Sequence, residues 1–191
     1  MTRFISPQIR KHFCSRFTDE YCDEASLQRL CALDDRILER VAQVSESVLL
    51  ERHRLNPRII KLIKPQTATV DSMVGFYILY PINRECETLI ESGVICQSRE
   101  LTAAHLCQAN ESVDALYLSM VYGRTRQAQG YLIYLLYRDL KAIIKANRSI
   151  RYIYVRPVTT VGFQAVEKHA FHPIHPDSGI YCRKVAPEEI A

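Results

Sequence analysis

The run Ala-Leu-Tyr-Leu-Ser-Met-Val-Tyr-Gly, Ala115 to Gly123, carries no charge, has strand length, and leads within a few residues into a long amphipathic pattern. A near-continuous apolar run of that length reads as a strand buried on both faces. After it, Leu132, Ile133, Leu135, Leu136, Leu140, Ile143 and Ile144 recur at helical spacing, so the pattern predicts a helix over Gln129 to Asn147. A buried strand that turns almost directly into a helix admits few architectures. The helix has to pack back onto the sheet that holds the strand.

The flanking segments extend that reading. Ser26 to Arg54 repeats apolar residues at helical spacing, long enough for two helices or one bent one, capped by Asp23 or Ser26 and ended by Asn56-Pro57. Short strands are expected at Arg58 to Lys64, Val74 to Ile82, Ile150 to Val155 and Ile180 to Val185, and a shorter helix at Thr159 to His169. Between the second and third strands, Arg84 to Ser92 and Arg99 to Gln108 read as two helices, the latter capped by Ser98. Alternation of strand and helix in the C-terminal half predicts an α/β arrangement with at least one parallel pair. The expected organisation is one domain over residues 1–191, with a helical N-terminal part at 1–57, a helical insert at about 83–112 and a ligand-binding core at about 115–185.

Composition narrows the function classes. A chain of 191 residues can bury a core without staples, and its seven cysteines are an odd, irregularly spaced set with no CxxC pair. That argues against a disulfide framework and a structural zinc site, so no metal is expected. Net charge is +4, and Lys and Arg are scattered, so no nucleic-acid partner is expected. Met1 to Arg16 lacks the apolar stretch of a signal peptide, and no run approaches a membrane span. The expectation is a cytoplasmic protein with no membrane partner.

The chemistry concentrates in Val121-Tyr-Gly-Arg-Thr-Arg-Gln-Ala-Gln-Gly-Tyr131, between the buried strand and the helix. A helix N-terminus presents unpaired N–H groups and partial positive charge to an anion. Gly130 has no side chain to keep a phosphate from the backbone, and Arg124 and Arg126 can add charge-assisted hydrogen bonds. The patterns GxxxxGK[ST] and GxGxxG are both absent, so a pyrophosphate-bearing ligand other than those of P-loop and dinucleotide folds is indicated.

Gln127-Ala-Gln-Gly130-Tyr-Leu132 resembles the pyrophosphate loop of the GNAT superfamily, Gln/Arg-x-x-Gly-x-Gly/Ala, with Leu132 in place of the usual small residue. Val166-Glu-Lys-His-Ala-Phe171 is similar to that family's Tyr-Glu-Lys-Leu-Gly-Phe signature, and the resemblance spans roughly Met73 to Val185. It implies a mixed, mostly antiparallel twisted α/β (α+β) sheet, with helices on both faces and a splayed parallel strand pair that admits the pantetheine arm of acetyl-CoA. It also implies cofactor-binding roles for Met120, Val121, Tyr122, Arg124, Arg126, Gln127, Ala128, Gln129, Gly130, Tyr131, Leu132 and Thr159. The activity implied is acyl transfer from acetyl-CoA to a primary amine on a small-molecule or peptide acceptor, with a homodimer as an allowed assembly.

Two positions depart from the family pattern. Val166 stands where a general-acid Tyr is common, and Thr159 where an Asn often precedes it. The insert between Ile82 and Ala115 is also longer than the hairpin most relatives have. Asp114 heads the strand where many relatives place an acid, and is the candidate base, against a capping role. His105 and His169 read as packing residues, and Cys107 lies two residues from His105, on a different helix face. Glu85, Glu87 and Glu91 read as a solvated face, or as attractors of a cationic acceptor. The alternative function is a GNAT-fold protein that binds acyl-CoA as a sensor or assembly subunit with little turnover.

Overall fold

A computed structural model describes residues 15–33, 44–67, 72–175 and 177–186. The strands are β1 (Phe17–Tyr21), β2 (Ile60–Pro65), β3 (Gly75–Ile82), β4 (Ala115–Gly123), β5 (Tyr152–Val155), β6 (His172–Pro173) and β7 (Tyr181–Lys184). The α-helices among the described residues are α1 (Glu24–Leu33), α2 (Glu46–Leu55), α3 (Arg84–Glu91), α4 (Arg126–Ala146) and α5 (Thr160–Lys168). The strands form one sheet in the order β1-β2-β3-β4-β5-β7-β6. Every neighbouring pair is antiparallel except β4 and β5, which run parallel. The expected mixed sheet with one parallel pair is therefore present.

Side-chain alternation divides the sheet into two faces. Phe76, Ile78 and Tyr80 of β3, with Tyr117 and Met120 of β4, pack with Leu27, Leu30, Leu49, Cys86 and Ile90 from α1, α2 and α3. Tyr77, Leu79, Leu116 and Ile153 pack on the other face with Leu132, Leu135, Leu136 and Leu140 of α4. Helix α5 joins that second side, where His169 meets Tyr137 edge-on and Phe163 meets Tyr181.

Three expectations need correction, and one strand was not expected. The N-terminal part is not purely helical: Phe17–Tyr21 is an edge strand paired with β2. Its sequence, Phe-Thr-Asp-Glu-Tyr, has too few apolar residues to show a period of two, and it is held instead by Phe17 stacking on Tyr131 at 5.3 Å. The expected helix at Arg99 to Gln108 is two short 3-10 turns, Ser98–Glu100 and Ala103–His105, separated by the extended Leu101 and Thr102. Buried Leu101 and Leu106 tie that segment to the core at a spacing of five, which one continuous helix face would not supply. The two-residue strand β6 pairs His172 and Pro173 with β7 and was invisible to any period. Finally, α4 begins at Arg126 rather than Gln129, because Thr125 caps it by accepting from the Ala128 N–H at 3.1 Å.

Of the acidic residues of the insert helix α3, Glu85 and Glu91 are exposed, as expected, and Glu87 is not. Glu87 is fully buried and forms ion pairs with Arg84 and with Arg151 at 3.0 Å. The Tyr154 hydroxyl donates to Glu91 at 3.2 Å, and Glu100 accepts from the Cys96 and Gln97 N–H groups. These three carboxylates hold the insert to the sheet and to itself. The described cysteines, Cys22, Cys31, Cys86, Cys96, Cys107 and Cys182, are free, and Cys14 lies outside the described residues. No described helix is long and apolar enough to cross a membrane.

Candidate functional site

Strand β4 changes character at Ser119. On its β3 side Leu118 pairs with Leu79 and Met120 with Ile78, so Ser119 is an extra residue, a β-bulge. A bulge bends its strand and sharpens the twist. On the β5 side, pairing runs from Ala115↔Tyr152 to Leu118↔Val155 and stops there. Strand β4 continues to Gly123, while β5 ends at Val155, ahead of Pro157, whose ring nitrogen cannot donate to a ladder. The two parallel strands part at the bulge.

The Arg124 N–H donates to the Val74 carbonyl at 2.8 Å. Backbone groups alternate sides along a strand, so those of Tyr122 and Met120 also turn to β3, and those of Val121 and Gly123 turn toward β5. The Gly123 carbonyl is taken by Gln129 Nε2 at 3.0 Å. Val121 therefore presents its N–H and C=O to the opening between the strands. Of the three residues expected to pair with a ligand through the backbone, Met120 and Tyr122 do not face it in that way. Met120 is buried in the α1–α3 face, and Tyr122 leans on Phe76 at 5.6 Å.

The strand then delivers the chain to the start of α4. A Cβ on Gly123 would sit 2.7 Å from the Gln129 nitrogen, so only glycine lets the first turn of α4 dock against the strand end. Leu132 fits by a second absence. A Cβ on Gly75, the cross-strand neighbour of Gly123, would lie 2.8 Å from Leu132 Cδ1. The leucine in place of a small residue thus fills space that β3 leaves empty.

Within this turn the expected ligand residues divide. Arg124, Arg126, Gln127 and Gln129 are exposed, and Gly130 is partly so. Neither arginine has an ion pair or side-chain hydrogen bond among the described residues. With Thr125 as cap, the Arg126 and Gln127 N–H groups remain as the unpaired donors of the first turn. Gln127 accepts from Arg16 at 3.0 Å. Ala128, Tyr131 and Leu132 point inward and are buried. Tyr131 donates to Asp19 at 3.1 Å and so ties β1 to α4 rather than facing a ligand. Gly130 falls inside the helix, so its N–H is not one of the unpaired donors of the first turn.

Thr159 caps α5 by accepting from the Gly162 N–H at 3.0 Å. Val166 is buried. Asp114 precedes the end of β4 that is still paired with β5, five residues before Ser119, or about 16 Å along a strand. The structure does not bring it to the opening. No group of three or more potential metal ligands occurs among the described residues.

Sequence reasoning missed Ser119 and Arg156, and weighed Tyr117 as cleft lining against core. Ser119 has a buried hydroxyl without a hydrogen-bond partner. The Tyr117 hydroxyl has none among the described residues, and burial raises its pKa, Arg156 pulling the other way. A lone Ser in an apolar strand was the only visible signal of the bulge.

No protein-family model matches the chain, and no curated protein matches it. Solved structures resemble it in fold. The GphF GNAT-like decarboxylase in complex with isobutyryl-CoA is 15% identical, with a TM-score of 0.54 over 87% of this chain and 98% of that one. A GNAT-family acetyltransferase from Listeria monocytogenes is 12% identical, with a TM-score of 0.51 over 88% and 95%. N-acetylglutamate synthase from Neisseria gonorrhoeae, complexed with coenzyme A and N-acetyl-glutamate, is 14% identical, with a TM-score of 0.50 over 89% of this chain and 35% of that one. The chain thus spans about a third of that synthase. At these identities the likeness is one of fold.

Proposed function

We propose that this chain, which has the fold of the GNAT superfamily, binds acetyl-CoA or a close acyl-CoA and transfers the acyl group to a primary amine. The observation that carries the reading is the parting of β4 and β5 at Leu118↔Val155, which leaves the Val121 N–H and C=O facing an open slot. An extended amide-bearing arm is the kind of ligand that pairs with such a strand edge. The slot leads along β4 to the first turn of α4, where the Arg126 and Gln127 N–H groups, Arg124 and Arg126 suit a pyrophosphate. Solved proteins of this fold include ones complexed with coenzyme A or isobutyryl-CoA.

When bound, the acyl-CoA would supply an acyl group activated as a thioester. The residues of this chain would hold the arm along β4, anchor the phosphates at α4 and expose the slot to an acceptor on the α1–α3 face. The insert Asn83 to Ser112 covers part of that face and is assigned to acceptor selection. One observation favours a second reading, in which acyl-CoA is bound with little turnover: Val166 is buried and apolar where the family's tyrosine would offer a proton.

The test is release of free thiol from acetyl-CoA across a panel of amines. Amine-dependent release is the expected result. Tight acetyl-CoA binding with no amine-dependent release would select the binding-protein reading.

A further inference from the structure

Three polar side chains that make no hydrogen bond or ion pair among the described residues stand where β4 and β5 part. Ser119 is the first residue beyond the last pair on β4, and its hydroxyl is buried and unpartnered. Arg156 is the first residue beyond that pair on β5. It is half-buried and makes no ion pair or hydrogen bond among the described residues. Its Nε lies 3.5 Å from where a Cβ on Gly179 would stand, next to Ile180 of the α1–α3 face, and its charge acts on Tyr117 of that face. Tyr117 is 1% exposed, lies on that same face, and has a hydroxyl that nothing among the described residues accepts from or donates to.

The neighbours of Tyr117 make its isolation informative. Tyr80, Tyr117 and Tyr154 stand in register on β3, β4 and β5. Tyr80 accepts from Arg52 at 3.1 Å, and Tyr154 donates to Glu91. Only the middle hydroxyl, beside the opening, is left over. The acids around it are committed: Glu87 to Arg84 and Arg151, Glu91 to Tyr154, and Glu100 to two backbone N–H groups of the insert. A buried hydroxyl without a partner, as at Ser119, costs stability, as does a half-buried guanidinium without a counter-charge. Both costs are relieved by one ligand group, an acceptor-rich anion.

We propose that Arg156 and Tyr117, with Ser119 at the mouth, recognise a carboxylate on the acceptor, so that the acceptor is an amino acid or a similar amine with an anionic group a few bonds from its nitrogen. This deepens the acyl-transfer reading and rests on it for the meaning of "acceptor". The planar guanidinium matches a carboxylate with two parallel donors, and a phenol adds a third. The anchor of the pyrophosphate lies at the other end of the slot, at α4, so the two anion sites do not compete.

The site is tested with matched pairs, each an amino acid and its amide: L-alanine, L-leucine, L-glutamate and β-alanine against the corresponding carboxamides. Binding to the full chain is read by saturation-transfer NMR, with and without saturating CoA, and turnover by thiol release. At least one acid is expected to bind about tenfold or more tightly than its amide. Arg156→Gln should erase that preference, Tyr117→Phe should weaken it, and both should leave the acetyl-CoA thermal shift intact. Equal binding of acid and amide throughout, or an undiminished preference in Arg156→Gln, overturns the proposal. So does an equal loss of turnover for every amine in Arg156→Gln, which would place Arg156 on the reacting group. Failure of the acyl-CoA reading is separable, because anion recognition is read without CoA.

Discussion

Replacing Lys61 with methionine is expected to destabilise the fold by about 3–5 kcal/mol, because it leaves buried carboxylates facing one another. Lys61 is nearly buried on β2, with its Nζ 3.0 Å from Asp19, 3.6 Å from Asp139 and 4.0 Å from the centre of the Tyr21 ring. Asp139 also accepts from Tyr77 at 2.6 Å, and Arg138 bridges both aspartates at 2.8 Å. The network fastens the edge strand β1 and the long helix α4 to the sheet, so it sets the position of the helix whose start forms the candidate phosphate site. Arg138 survives the substitution, which puts the expected loss at the lower end of the range. Urea denaturation at neutral pH checks the magnitude.

The same variant carries a pH signature. Burial alone would raise the pKa of Asp19, but hydrogen bonds from Arg138 and Lys61 outweigh it and hold the carboxyl below its ordinary value. A carboxylate lowered in the folded state contributes stability above its unfolded pKa, near 3.9, and loses it as pH falls through the folded value. The wild-type chain should therefore lose part of its stability below about pH 4, and Lys61→Met should lose less over that interval. Equal acid sensitivity in the two proteins would show that Lys61 does not hold Asp19 ionised.

The second large effect is on ligand affinity. The double reversal Arg124→Glu with Arg126→Glu is expected to weaken acetyl-CoA binding by about 100-fold or more, since each charge-assisted contact to phosphate contributes about 1.5–3 kcal/mol. Both side chains are exposed and unpaired among the described residues, so the unfolding midpoint without ligand should barely move. Titration calorimetry separates the outcomes. Undiminished affinity in the double variant would move the phosphates away from the start of α4.

The elements that carry the site were the most legible part of the chain. Ala115 to Gly123 and the stripe from Leu132 to Ile144 announced β4 and α4, because burial on both faces of a strand and on one side of a helix leaves its period in the sequence. For Tyr117 the sequence left cleft lining and core open, since an aromatic residue in an apolar strand gives no sign of whether its hydroxyl has a partner. Arg156 was hidden because a loop arginine shows no pattern, and its meaning depends on where β5 stops. The edge strand β1 was missed because tertiary ion pairs, Lys61 with Asp19 among them, replace apolar alternation there. The insert helices failed at Arg99 to Gln108 because local caps, with Glu100 and His105 folding back on backbone N–H groups, favour short turns over a continuous helix.

The central claim is that the parting of β4 and β5 is an acyl-CoA slot, and the most direct measurement is the melting temperature of the full chain with acetyl-CoA and with CoA. A ligand at about 100 times its dissociation constant adds roughly 2.7 kcal/mol. For a chain of this size that raises the midpoint by about 5–10 °C, which is the predicted result. An unchanged midpoint at millimolar concentrations of both would contradict it.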